Sequence, residues 1–270
     1  SDWSSDVCSS DLSNTSGRYN VALGSMSMNE HSTGNENVAI GINALQKEDG
    51  GYENVAIGAY AAYSIEGAVS SIISIGAYSL YNATSAPNYT IAIGYGALSQ
   101  VTGNGSNLIG IGEAALKKND TRDYNIAIGL MALPKNLSGS NNTCVGVYSG
   151  YENTSGDNNS GFGYEALDSI TTGSNNTAIG YYAGYNANQL ATASNSMMLG
   201  ANTFTDRSNQ VVIGDENVVE TQLRTGVYVG STSATAHTQP SARLHIAAGA
   251  AGAGTAPIKL TTGTLNTTPE

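Results

Sequence analysis

Residues 37–41 read Asn-Val-Ala-Ile-Gly, residues 54–58 repeat the same five, and residues 125–129 return them as Asn-Ile-Ala-Ile-Gly. Working outward, a closing glycine recurs at Gly24, Gly41, Gly58, Gly76, Gly94, Gly112, Gly129, Gly146, Gly163, Gly180, Gly200 and Gly214, with spacings of 17, 17, 18, 18, 18, 17, 17, 17, 17, 20 and 14 residues. A period this constant means a repeat architecture in which each unit supports its neighbours. The residue before each glycine is large and apolar, from Leu23 and Ile40 through Ile128, Val145 and Phe162 to Ile213. The residue two before it is small in the first ten copies: Ala22, Ala39, Ala56, Ser74, Ala92, Gly110, Ala127, Cys144, Gly161 and Ala178. That alternation is a short strand with two different faces. The expectation is that the large residue faces inward. Replacing Ile128 by Asp is then expected to cost more than replacing Asn125 by Ala, because a charge in a narrow core cannot be hydrated.

Three residues past the glycine a small residue returns (Ala44, Ala61, Ala97, Ala132, Ala166, Ala183), often followed by Leu (Leu45, Leu80, Leu98, Leu116, Leu133, Leu167). Between these patches lie polar turns, with a glycine seven before the reference glycine (Gly34, Gly51, Gly139, Gly156, Gly173) and an Asn four before it. That Asn recurs at 20, 37, 54, 125, 142, 159 and 176. Gly and Asn tolerate positive φ, so these are natural corners, and stacked Asn side chains form hydrogen-bonded ladders. These asparagines read as structural. Helical repeats need longer units with 3.6 periodicity. About twelve coils of 17–18 residues instead predict an all-β chain, a left-handed parallel β-roll or β-solenoid with a narrow columnar core. At roughly 4.8 Å per rung it forms a rod on the order of 55 Å long. The row of small residues, on the second face, suits close approach by another copy of the rod, and closed symmetry is the rule for homo-oligomers. A homotrimer is the expected assembly.

Composition agrees. Of 270 residues, 33 are Gly, 2 are Phe and 1 is Trp, and only 11 % are charged. Gly, Asn and Thr are poor helix formers, which excludes a helical bundle. The net charge of −11 argues against a nucleic-acid partner, which needs a basic face. No apolar run approaches the roughly 20 residues of a membrane-spanning helix, so membrane insertion of this segment is not expected. Ser1–Leu12 shows no apolar period. Its DVCSSDL stretch resembles the translation of a sequencing-library adapter, and the segment reads as non-native or as a disordered tail. Residues 13–218 hold the repeats.

The Asn-Val-Ala-Ile-Gly units, with their Asn-rich turns and following Ala, resemble the head repeats of trimeric autotransporter adhesins (YadA-like). The resemblance covers roughly residues 13–218 and implies left-handed parallel β-rolls assembled as trimers. The family's repeat is shorter than the 17 or 18 residues here, which implies a wider coil and leaves the trimer geometry open. A second resemblance sits in residues 226–246. Val229, Gly230, Pro240, Ala242, Leu244 and His245 look like the neck strands of phage tail fibres. On that resemblance, 219–246 form neck strands. Residues 247–270 comprise a flexible Ala/Gly linker and the start of a further domain, similar to the segment leading into the self-cleaving intramolecular chaperone of such fibres. The two resemblances imply an attachment rod on a virion, a phage tail fibre that binds a host-cell surface. The alternative owner is a bacterium, with the rod as an adhesin head outside the cell. A polysaccharide-degrading β-solenoid enzyme is a remote alternative, since it needs clustered carboxylates and the acids do not recur at paired repeat positions.

Little catalytic chemistry is available. The histidines are His31, His237 and His245, and the cysteines Cys8 and Cys144 lie far apart. No zinc spacing, triad or calcium loop emerges, and Gly110/Gly112 and Gly161/Gly163 belong to the repeat rather than to nucleotide loops. No catalytic residue, cofactor or metal is assigned. The 16 tyrosines stand out, because several occupy equivalent positions: Tyr60, Tyr78, Tyr148 and Tyr182 two after the glycine, and Tyr63, Tyr81, Tyr151 and Tyr185 five after it. They read either as stacked ladders that stiffen the exterior or as an aromatic stripe that stacks on receptor sugars. Tyr148, Tyr151, Tyr182 and Tyr185 are the candidate contacts for a cell-surface glycan or protein receptor.

Overall fold

A computed structural model describes residues 7–8 and 15–218, apart from 31–32, 48–49, 66, 84–87, 103–105, 120–123 and 216. The neck and linker expected over 219–246 and 247–270 lie outside the described residues, as do most of Ser1–Leu12 and all three histidines.

Each Val-Ala-Ile triplet is one strand. The chain forms β1 (Val7–Cys8), β2 (Val21–Leu23), β3 (Val38–Ile40), β4 (Val55–Ile57), β5 (Ile73–Ile75), β6 (Ile91–Ile93) and β7 (Ile109–Ile111). It continues with β8 (Ile126–Ile128), β9 (Thr143–Val145), β10 (Ser160–Phe162), β11 (Thr177–Ile179), β12 (Met197–Leu199) and β13 (Val211–Ile213). All thirteen lie in one sheet in chain order, and the pairings are parallel and in repeat register, with Val38, Ala39 and Ile40 facing Val55, Ala56 and Ile57. The protein is an all-β parallel solenoid, with no helix among the described residues.

The remainder of each coil is turn built on left-handed backbone. The reference glycines from Gly24 to Gly200 have φ between +118° and +141°. Three further positions per coil adopt left-handed φ near +50–60°, five before the glycine and two and four after it, as at Asn141, Tyr148 and Leu133. Each costs a non-glycine residue about 1–2 kcal/mol. Hydrogen bonds to neighbouring coils offset that cost: Tyr148 N–H donates back to Leu130 C=O at 2.9 Å, and Leu133 N–H donates forward to Ser149 C=O at 3.0 Å. The corner glycines do something other than expected. Gly139, Gly156 and Gly173 are not in positive φ; each is glycine because an added Cβ would strike backbone carbonyl oxygen of the next coil (Gly156, Gly173 and Ala193, respectively).

The inward and outward faces of the strand are reversed from expectation. Ala22, Ala39, Ala56, Ala92, Ala127 and Cys144 are wholly buried, whereas Leu23, Phe162, Ile179 and Ile213 are exposed and Ile40, Ile57, Ile93 and Ile128 are half-buried. The interior is already occupied by the second patch, Ala44, Leu45, Leu80, Leu98, Leu116 and Leu133, all buried. An ideal Cβ on Gly110 would sit 3.0 Å from Leu98 Cδ1 and 3.1 Å from the Ala115 carbonyl oxygen. From β2 to β11 this inward row holds only Ala, Ser, Gly or Cys, with the larger Met198 buried only at β12, and the branched residues on either side point out. This also removes the argument that the small row docks another copy, because that row is the core.

The asparagine ladder is present and buried. Asn159 N–H donates to Asn142 Oδ1 at 2.9 Å, Asn142 N–H to Asn125 Oδ1 at 3.0 Å, and each Nδ2 donates to a corner carbonyl, Asn125 to Gly139 and Asn142 to Gly156 at 2.8 Å. Across the three 18-residue spacings the ladder position holds Ile72, Thr90 and Leu108, with Ile72, Leu108, Val69 and Val101 all buried. Apolar packing replaces hydrogen bonding in that middle section.

Two stability orders follow. Asn125→Ala orphans the buried Asn142 N–H, about 1–3 kcal/mol, and removes one of two donors to Gly139 C=O, which keeps Asn136 Nδ2 at 2.8 Å, whereas Ile128→Asp at a half-exposed strand position costs about 1 kcal/mol in dilute, unassociated chains. Urea unfolding should rank Asn125→Ala as the more damaging; the opposite ranking would restore an inward Ile128. Gly129→Ala, whose methyl would collide with the Gly146 carbonyl, should lose about 3 kcal/mol or more from overpacking and backbone strain together. Gly67→Ala has open space and should lose only the left-handed backbone term.

Candidate functional site

Positions one, two, five and six after the reference glycine form an outer corner, and the tyrosines line it. In the N-terminal half they are true ladders. Tyr60 and Tyr78 stack at 5.3 Å with their planes 4° apart, and Tyr63 and Tyr81 at 5.3 Å and 11°. Within each coil the pairs meet edge-on, Tyr78 to Tyr81 at 5.3 Å and 70°.

The four candidates lie in the C-terminal half and are brought together differently. Tyr148 meets Tyr151 edge-on at 5.5 Å, and Tyr182 stacks on Tyr185 at 4.8 Å. The pairs sit two coils apart, because the coil between carries Glu165 and Asp168 at the tyrosine positions. Tyr164 joins them, 6.4 Å from Tyr148 and 5.4 Å from Tyr182, with Tyr181 4.1 Å from Tyr182. Tyr164 and Tyr181 are residues that the sequence reading missed. Both immediately follow the reference glycine, and the same alternation that points Phe162 and Ile179 outward was the signal available.

Three carboxylates gather around these rings, which the repeat positions did not disclose. Lys135 Nζ donates to Glu152 Oε1 at 2.6 Å and lies 4.3 Å from the Tyr151 ring centre, a cation–π contact. The Glu152 carboxylate holds the Lys135 ammonium above its ordinary pKa. Asp168 is pushed up to about 6, first by burial and then by Glu165 and Glu152, with Lys135 opposing. A hydrogen bond to Glu165 raises the Tyr164 hydroxyl, and a hydrogen bond to Tyr181 raises that of Tyr182. The result is a mixed aromatic and acidic surface with hydroxyl and carboxylate groups side by side.

Other chemistry is sparse. The Cys144 thiol is pushed up to about 12 by burial, which leaves no thiolate to act as nucleophile near neutral pH. Among the described residues no cluster of three His, Cys, Asp or Glu side chains could hold a metal ion, and no helix is long and apolar enough to cross a membrane. The other outward surface is the sheet face, where Val21 and Leu23, Val38 and Ile40, Ile91 and Ile93, and their equivalents form a largely apolar band of two side chains per coil, with Thr143, Ser160 and Thr177 in one of the two rows at β9–β11.

No family model, curated protein or solved structure matches the chain.

The raised Asp168 gives a pH signature. Between about pH 4 and 6 the folded chain holds a proton there that the unfolded chain has released, so this site's contribution to stability falls as pH rises through that window. Asp168→Asn should raise the melting temperature at pH 7 and flatten its dependence between pH 4 and 6. An unchanged profile in thermal melts would separate Asp168 from the cluster.

Proposed function

We propose that the protein is a non-enzymatic attachment rod, a segment of a trimeric fibre that carries receptor-binding surface. The observation that carries this reading is the apolar band on the outer face of the sheet. Leu23, Ile73, Phe162, Ile179, Met197 and Ile213 are exposed and the equivalent residues between them half-exposed. Contiguous exposed apolar surface of this extent marks an interaction site. Every coil presents the same two positions at the same register, so the band is matched in length and chemistry by the band on another copy. Three copies packed through it form a closed assembly, and the tyrosine corners are left outside.

The resemblance to tail-fibre neck strands favours a virion fibre that attaches to a host surface, and the likeness to adhesin heads supports a bacterial surface adhesin as the second reading. The cluster of Glu152, Glu165 and Asp168, one with a raised pKa, is the observation that favours glycan cleavage, the third reading. Glycan hydrolysis needs two carboxyl groups flanking one bond, and here Lys135 neutralises one of the three. Release of reducing ends from a surface polysaccharide, lost in Asp168→Asn, would turn the proposal into that reading.

Sedimentation of the protein should give a mass near three chains. Ile93→Asp combined with Ile128→Asp should leave single folded chains with an unchanged circular dichroism spectrum. Failure to trimerise even when fused to a foreign trimerisation tag would remove the assembly. Changing Tyr148, Tyr151, Tyr182 and Tyr185 together to Ser should weaken cell or glycan binding by trimeric material at least about tenfold, since small losses per site multiply across copies. Undiminished binding by a folded trimer would make these four tyrosines structural.

A further inference from the structure

The tyrosine ladder of the N-terminal half ends abruptly. Positions two and five after the reference glycine hold Tyr60 and Tyr63, then Tyr78 and Tyr81, then Gly96 and Ser99, then Ala114 and Lys117. Where the small residues fall, the corner sinks into a groove of about 350 Å³, with Gly96, Ser99 and Ala114 in its lining. That volume is at the lower end of the roughly 300–1,000 Å³ typical of small-molecule sites. Tyr78 and Tyr81 wall one end and Met131, three coils on, the other; Tyr95, at 70° to Tyr78 and 5.8 Å away, Asn82, Gln100, Glu113 and Lys117 complete the lining.

Tyr78 receives the ring of Tyr60 on one side at 5.3 Å. The next rung, where Gly96 replaces tyrosine, offers no parallel ring to continue the stack; Tyr95 of that rung meets Tyr78 edge-on. A flat ring placed there would sit at the spacing the ladder already uses. The surrounding groups narrow its chemistry. Two amides, one carboxylate and one ammonium provide donors and acceptors for several hydroxyls, while the opposite charges of Glu113 and Lys117 cancel and select against a charged guest. An apolar aromatic guest would leave those polar groups unpaired.

We infer that this groove is a binding subsite for one neutral pyranose unit of a surface glycan, stacked on Tyr78 and hydrogen-bonded by Asn82, Gln100, Glu113 and Lys117. The inference rests on the attachment reading and gives it a substrate class and a second location, separate from Tyr148 and Tyr185. The molecule itself supplies the means to close the site. Gly96 has φ +62°, and the equivalent Tyr60 and Tyr78 both adopt +58°. A Cβ on Gly96 would meet only Ser99 Oγ, at 3.8 Å. Tyrosine is therefore compatible with that backbone and would extend the ladder into the groove.

The test titrates methyl β-glucoside, methyl β-galactoside and N-acetylglucosamine separately into the full chain, followed by saturation-transfer NMR. At least one should bind saturably with a dissociation constant in the millimolar range or tighter. Gly96→Tyr should weaken it by about tenfold or more while keeping the circular dichroism spectrum, and Gly96→Ala should leave it unchanged. Lys117→Tyr, at an exposed position, fills the groove from the next rung and serves if Gly96→Tyr does not fold. Binding by none of the three sugars overturns the inference, as does undiminished binding in a folded groove-filling variant. Cell attachment by the wild-type trimer separates the two levels. Attachment without monosaccharide binding removes the groove and keeps the rod; monosaccharide binding without attachment to any cell keeps the groove and removes the rod's proposed role.

Discussion

Glycine backbones stacked directly on glycine backbones set the terms for the whole molecule. A methyl on Gly24 would lie 2.6 Å from the carbonyl carbon of Gly41, and one on Gly58 would lie 2.7 Å from that of Gly76. This contact continues rung by rung as far as Gly180 above Gly200. No side chain can enter this column, so each coil must return its chain to the same point after its 17 or 18 residues (20 between Gly180 and Gly200). The return is achieved with left-handed backbone at three other positions per coil, whose cost is offset by hydrogen bonds above and below. An isolated coil would carry the strain without those bonds. The left-handed turns and the stacking therefore need each other.

With the chain forced back so quickly, the interior is narrow. Alanine fills one side and leucine the other, and the buried asparagine amides satisfy corner carbonyls that water cannot reach. The middle section solves the same problem with Ile72, Val69, Val101 and Leu108, at the cost of one more residue per coil. Function is left to the outside, where the two faces differ in chemistry. The sheet carries mostly branched aliphatic side chains, interrupted by Thr143, Ser160 and Thr177, and the corner carries tyrosines, amides and a few charges.

The fold class, the period, the strand positions and the Asn ladder were legible in the sequence because each is a repeat property, and twelve copies average away local noise. The inside of the strand was not. An Ala-Ile alternation identifies two faces without saying which is buried, and the usual assumption that the larger residue is inside fails when the cavity is one side chain wide. The role of Gly139 and Gly156 was also hidden, because close approach and positive φ both select glycine and sequence does not separate them. Around the site, Tyr148, Tyr151, Tyr182 and Tyr185 lie on one outer corner, as their repeat positions indicate. Their connection through Tyr164, and the company of Glu152, Glu165 and Asp168, depend on neighbours from adjacent coils at non-equivalent positions, which a column-by-column alignment does not compare.

The uniform register has a consequence for how such a gene can change. Between Gly129 and Gly180 each coil presents to the next the same surface that it receives from the one before: a glycine carbonyl, an Asn Oδ1 and a strand edge. Excising one whole 17-residue unit between Gly129 and Gly180 brings together two surfaces that already fit, and duplicating one does the same. Loss or gain of one whole unit therefore yields a solenoid one rung shorter or longer, with its seams intact. Length can drift in steps of a single rung while the cross-section stays constant, whereas an insertion of one or two residues must be absorbed within a corner.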